Sequence, residues 1–217
     1  MSYPVVPAII PESAAHVKEL VSRLGFVREI QLDLVDGVFV PQSSWPYSPE
    51  GKPIEVKSAT DPFTLEVDLM VSKPIAAATE WIKAGADMLV FHIETLPLEV
   101  LKNFAENTGV SIGVAAHGDT SMEKLIEYAK HADYVQLMGI KTIGAQSLPF
   151  DEETLDKVAV IRRNFPDMMI SVDGSVNKKT ITRLRDAGVD RFIVGSAIVK
   201  QPDVKEAYHE LWSLVNE

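Results

Sequence analysis

Eight short apolar segments recur along the chain, most of them followed by a stretch with helical spacing. This alternation restricts the fold more than any other feature. The segments are VVPAII (5–10), REIQLDL (28–34), TLEVDLM (64–70), MLVFHI (88–93), VSIGVA (110–115), YVQLM (134–138), MMISVD (168–173) and RFIVG (191–195). Each is short and rich in Val, Ile, Leu or Phe, as strands are. Among the helical stretches, ESAAHVKELVSRLG opens after a proline and closes on Gly25, and KPIAAATEWIKAGAD has Pro74 near its start and Gly85 just past its end. TSMEKLIEYAK opens with a Thr or Ser cap, and Glu123 stands three residues after Thr120 as in a capping box. DEETLDKVAVIRRNF, NKKTITRLRDAGVD and the terminal DVKEAYHELWSLV follow the same logic. Only QSSWPYSPEGKPIEVKSATDPF, between strands two and three, is proline-rich, with a hint of helix near 53–59. Eight strands with seven crossovers and a last helix make a (β/α)8 count. Right-handed βαβ units close into a barrel of that size or stack into an open doubly wound sheet.

No linker or low-complexity tract divides the 217 residues, so residues 1–217 are expected to form a single domain. No apolar run approaches the length of a membrane helix. MSYPVVPAIIPES lacks the basic start and long apolar core of a signal peptide, and a cytoplasmic location is expected. With no cysteine, disulfides and thiolate metal sites are excluded. A net charge of -10 argues against general binding to nucleic acid or to an acidic membrane. A phosphorylated ligand remains compatible with that charge, because helix starts hold phosphate through backbone N–H groups.

The phasing of polar residues decides between barrel and open sheet. Successive strand residues face opposite ways. Gln31 and Asp33 share one face, opposite Ile30, Leu32 and Leu34; Glu66, Asp68 and Met70 oppose Leu65, Val67 and Leu69; Ser171 and Asp173 oppose Val172; His92 lies near the end of its strand. The apolar faces suit helices, so the polar ones are expected to point into a barrel lumen and to cluster at C-terminal strand ends, where barrel enzymes place their chemistry. Three carboxylates gathered there cannot all remain charged and unpaired; protons or a cation must accompany them. Carboxylate and amide oxygens suit a hard divalent ion such as Mg²⁺ or Mn²⁺.

Three small-residue turns follow the last three strands: GAQS (144–147), DGSVN (173–177) and VGSAI (194–198). Glycine admits close backbone approach to an anion. The loops after strands seven and eight are the usual phosphate seat of a barrel.

LDLVDGVFVP, VDLMV, AGADMLVFHIE, SVDGSVN and AGVDRFIVGSAI together resemble the ribulose-phosphate 3-epimerases, in the right order along nearly the whole chain. The resemblance implies a TIM barrel in which two aspartates, matching Asp33 and Asp173, exchange protons on opposite faces of C3 of a ketopentose phosphate through an enediolate. It implies a divalent metal (Mg, Mn, Fe or Zn) held by both aspartates and two histidines. It implies a phosphate seat at Gly144, Ala145 and Gln146, at Gly174 and Ser175, and at Gly195 and Ser196. A homo-oligomer is expected on the same ground. The chain departs from the pattern where the metal histidines stand, with Gln31 and Asp68 in their places. It also has Ala8 for a serine, and GIKTIGAQ is one residue shorter than the corresponding loop.

Asp68 reads either as a metal ligand or as an ion-pair partner of Lys73 or Lys141. Gln31 reads as a ligand or as a hydrogen-bond partner of a neighbouring aspartate or of the substrate. Met70, His92 and Met138 are candidate pocket residues, with core roles as the alternative. His117 could line the mouth, and Trp45 and Tyr47 a lid or an oligomer contact. The departures also admit a barrel that binds a sugar phosphate without catalysis, or one that acts on a different ketose phosphate.

Overall fold

The computed structural model describes residues 3–143 and 148–217. Its eight strands are β1 (Val5–Ile9), β2 (Glu29–Val35), β3 (Thr64–Met70), β4 (Met88–His92), β5 (Ser111–Ala115), β6 (Tyr134–Met138), β7 (Met169–Asp173) and β8 (Arg191–Val194). They are parallel and close in sequence order, β8 pairing with β1. The helices are α1 (Ala14–Arg23), α2 (Lys57–Thr60), α3 (Pro74–Lys83), α4 (Leu98–Glu106), α5 (Met122–Ala129), α6 (Glu153–Asn164), α7 (Ile181–Ala187), α8 (Ser196–Val199) and α9 (Val204–Asn216). This is a single (β/α)8 barrel. Among the described residues no helix is long and apolar enough to cross a membrane.

Local chemistry sets the ends of these elements. Ser13 caps α1 by accepting from the His16 N–H, and Asp203 caps α9 by accepting from Lys205 and Glu206. The cap of α5 is Ser121 and not Thr120; Thr120 turns instead to Glu94. α7 ends on Gly188 at φ 101°, a left-handed conformation that glycine adopts without a Cβ penalty. The hint of helix in the long β2–β3 connection is a 3-10 turn at Pro53–Glu55 followed by α2. Trp45 in that connection is neither lid nor surface contact: it is buried and meets Trp81 of α3 edge-on, ring centres 6.0 Å apart. The T-shaped pair and its large buried area anchor the loop to the barrel wall.

Two layers share the sheet. Ile30, Leu32, Leu34, Leu65, Val67, Leu69, Leu89 and Phe91 point outward and join the core beneath the helices. Each such buried side chain contributes about 1.5–3 kcal/mol. The opposite parity points inward, and its N-terminal end is closed by an ionic plug. Arg191 donates to Glu66 Oε2 at 2.6 Å and to Glu29 Oε2 at 3.0 Å, while the Tyr134 hydroxyl donates to Glu66 Oε1 at 2.5 Å. Gly113 makes room for this plug, since a Cβ there would stand 2.4 Å from the Tyr134 ring.

Candidate active site

The strand register brings the acidic residues together. Asp33 and Asp68 are direct partners across β2 and β3, and Asp173 ends β7 beside Met138 of β6 and Ile193 of β8. One carboxylate oxygen from each of Asp33, Asp68 and Asp173 lies within 4.8 Å of the other two.

The surrounding side chains treat the three acids differently. Gln31 donates from Nε2 to Asp33 Oδ1 at 2.8 Å. Asp68 is fully buried; its Oδ1 lies 3.1 Å from His92 Nε2 and its Oδ2 accepts from Gln136 Nε2 at 2.8 Å. Asp68 therefore pairs with His92 on the neighbouring β4 and, across the lumen, with Gln136 on β6; the alternative pairing with Lys73 or Lys141 is not what forms. Lys141 reaches outward to Glu153 at 3.5 Å, beyond the strand ends where Asp68 lies.

Burial pushes the Asp33 carboxyl well above the ordinary range, with Asp173 and Asp68 repelling its charged form and the Gln31 amide only partly opposing them. Burial likewise raises Asp173 to about 7, aided by Asp68 and Glu66 and opposed by the Gly174 N–H and by His92. At His92 burial disfavours the imidazolium, but the charge and hydrogen bond of Asp68, with the charges of Glu94 and Asp173, together outweigh it and the pKa is raised.

Above the acids opens a cavity of about 300 Å³, walled by Asp33, Met70, Met138 and Asp173 and rimmed by the turns at 174–177 and 195–197. His92 does not line it: fully buried, it stands behind Asp68 with the Phe39 ring 5.4 Å away. Gly174 (φ 100°) and Ser175 (φ 53°) adopt left-handed backbone, and Gly195 leads into the short α8. Gly139 packs so closely that a Cβ would stand 2.0 Å from the Gly174 carbonyl oxygen, and its N–H donates to the Asp173 carbonyl at 2.6 Å. Gly144, Ala145 and Gln146 lie outside the described residues. His117 does not line the cavity; its N–H donates to Glu94 at 2.8 Å and so ties the loop after β5 to the loop after β4.

Gln136 was not singled out as a site residue from the sequence, although it carried the signal that marked Asp33: a polar side chain at lumen parity within an apolar strand. Asp36 was also missed. Its carboxylate accepts from the N–H groups of Val38 and Phe39 and from both N–H and hydroxyl of Ser72, which fixes the start of the β2 loop against the β3 end.

The three carboxylates and an amide oxygen without a donor, Gln31 Oε1, fit a hard divalent cation: every donor is oxygen, and a cation would relieve the repulsion that raises Asp33 and Asp173.

A closed parallel barrel with an acidic cluster at the C-terminal strand ends, under small-residue turns after β7 and β8, has the layout of a (β/α)8 enzyme. The chain belongs to the ribulose-phosphate 3-epimerase family, whose sequence model matches residues 4–199. It is 32% identical over 189 residues to a ribulose-phosphate 3-epimerase of Bacillus subtilis, covering 84% of both chains. It is 26% identical over 204 residues to the one of Chlamydia muridarum, covering 91% of this chain and 85% of that one. Among solved structures, a 3-hexulose-6-phosphate synthase superposes with a TM-score of 0.74 at 18% identity, covering 98% of this chain and 99% of that one; this shows the shared barrel.

Proposed function

We propose that the protein epimerises a ketopentose phosphate at C3, with Asp33 and Asp173 as the acid/base pair. The observation that carries this reading is that both carboxyls face one cavity and both are raised, Asp173 to about 7. Near neutral pH one can hold a proton while the other is ionised, as a two-base epimerisation requires. One carboxylate takes the C3 proton, and the C–H electron pair moves to give an enediolate with its charge on the C2 oxygen. The other carboxyl returns a proton to C3 from the opposite side, and the pair has then exchanged roles. The phosphate is assigned to Gly174 and Ser175 and to Gly195 and Ser196, with Gly144 to Gln146 completing the seat. Met70 and Met138 wall the sugar. Asp33, Asp68 and Asp173, with Gln31, would hold a divalent ion, which when bound would supply Lewis-acid stabilisation of the developing negative charge.

The test is exchange of the C3 hydrogen of D-ribulose 5-phosphate in D₂O, with metal-stripped protein and with Mg²⁺, Mn²⁺, Fe²⁺ or Zn²⁺ added. Exchange accompanied by D-xylulose 5-phosphate is the expected result. Sugar-phosphate binding with no exchange under any metal would favour a non-catalytic binding barrel, to which Gln31 and Asp68 at the two histidine positions point, or an enzyme acting on a different ketose phosphate, to which Ala8 points.

A further inference from the structure

Asp68 is the member of the acidic cluster most completely committed to other side chains. His92 holds one of its oxygens at 3.1 Å, and Gln136 holds the other at 2.8 Å after reaching across the lumen from β6 to β3. An ionised Asp68 can only accept, so the contact with His92 requires the tautomer with a proton on His92 Nε2, and two donors on two oxygens then fix the plane of a carboxylate that would otherwise rotate. The arrangement leaves His92 Nδ1 and Gln136 Oε1 buried without partners. Orphaning buried polar atoms costs stability, so packing alone does not account for a glutamine here. A second observation marks the cluster as a site: Gln31 is fully buried, its amide head lies against Asp33, and its Oε1 has no donor.

We propose that Gln136 is a positioning residue. With His92 it presents Asp68 as the third carboxylate of an oxygen-only site for a hard divalent cation of the Mg²⁺/Mn²⁺ class, in place of the imidazole-bearing site that the family likeness implies. The proposal rests on reading this cluster as the reaction's site, but not on which sugar is turned over. Carboxylate and amide oxygens favour hard ions, whereas imidazole shifts preference toward zinc and its neighbours. His92 is not available as a substitute ligand through Nε2, because Asp68 occupies that nitrogen. Groups that orient a ligand typically affect metal affinity by about 10–100-fold when removed.

The experiment is a Mn²⁺ titration of the metal-stripped full-length protein followed by electron paramagnetic resonance, with Mg²⁺ and Zn²⁺ as competitors. C3 hydrogen exchange of ribulose 5-phosphate is measured on the same samples. Wild type is expected to bind one Mn²⁺ per chain, displaced by Mg²⁺. Gln136→Leu is expected to weaken Mn²⁺ by about 10–100-fold while its metal-free thermal midpoint confirms folding; Gln136→Met, equal in length and lacking the donor, replaces it if Leu does not fold. The double variant Gln31→His/Asp68→His is expected to raise the Zn²⁺-to-Mn²⁺ affinity ratio by about tenfold or more. Wild-type Mn²⁺ affinity in both Gln136 variants, or an unchanged ratio in the double variant, would overturn the proposal. Exchange without any Mn²⁺ binding sinks this inference and leaves the epimerase reading standing. Selective Mn²⁺ binding that follows these variants, without exchange, does the reverse.

Discussion

Gln31 and Asp33 lie two residues apart on the inner face of β2, and the Gln31 amide nitrogen donates to Asp33 Oδ1 across 2.8 Å. A donor bonded to a carboxylate favours its charged form, so Gln31 works against the burial and the neighbouring charges that raise Asp33. Removing the amide therefore shifts Asp33 further up. For Gln31→Leu, the pH profile of C3 exchange is expected to move to higher pH, with a loss at neutral pH of about tenfold, within the range of general acid–base effects. An unmoved profile in a folded variant would show that this hydrogen bond does not tune the pair.

Asp33→Asn and Asp173→Asn each remove one proton carrier. Conversion to D-xylulose 5-phosphate is expected to fall by about 10²–10⁴-fold in either variant, while C3 exchange of D-ribulose 5-phosphate in D₂O is lost only in the variant lacking the carboxylate that faces that proton. Retention of most activity in either would remove that aspartate from the reaction.

The same raised carboxyl links stability to pH. Asp173 titrates near its ordinary 3.8 in the unfolded chain and at about 7 in the folded one. The folded state thus holds a proton that the unfolded state has already lost. This contribution is fully present below the unfolded value, and it declines as pH rises through the folded one. The thermal midpoint of metal-stripped protein is expected to drop across this window relative to that of Asp173→Asn, which has no carboxyl to charge. Parallel midpoints at every pH would contradict the assignment.

At the other end of the lumen, Arg191 is buried between Glu66 and Glu29. Arg191→Met strands the Glu66 charge in the interior, and removing one partner of a buried pair costs about 3–5 kcal/mol. Denaturant unfolding should show that loss, and Arg191→Met/Glu66→Gln should recover part of it. A loss below about 1 kcal/mol, the scale of an exposed pair, would mean that water reaches the plug.

Gly139→Ala tests a contact between backbones. Its Cβ would stand 2.0 Å from the Gly174 carbonyl oxygen, and backbone atoms cannot swing aside as a side chain does. The β7 end must shift, carrying Asp173 with it. Turnover is expected to fall by about 10²-fold, as displacements of about 1 Å do, checked by the same exchange measurement beside a circular dichroism spectrum.

Much of the barrel was legible from strand parity. All eight strands fall within about a residue of where apolar alternation placed them, because each inner polar residue alternates with an outer Leu, Ile, Val or Phe that must be buried. The helix over Leu98–Glu106 was not named, although Pro97 at its start, Glu99 in its first turn and its apolar face carried the same signals as the helices that were. Asp68 was legible as an inward carboxylate, but its partners were not. His92 is 24 residues away and Gln136 is 68 residues away, and only barrel closure brings β6 opposite β3. The Arg191–Glu66 contact spans 125 residues, so no local pattern encodes it. Trp45 was misread for a related reason: a loop aromatic reveals its partner only when the loop folds back, here onto Trp81.

The contact between Gly139 and the Asp173–Gly174 peptide joins the end of β6 to the residue proposed as an acid/base and to the first residue of the turn proposed to seat the phosphate. Those two functions are adjacent in the chain and locked to a second strand, so the gap between them cannot stretch. On that proposal the barrel would work as a ruler laid along its substrate. With the phosphate seated at one end, only the carbon at the set distance meets the carboxyl. A sugar one carbon longer would present the wrong carbon, however well its hydroxyls fit.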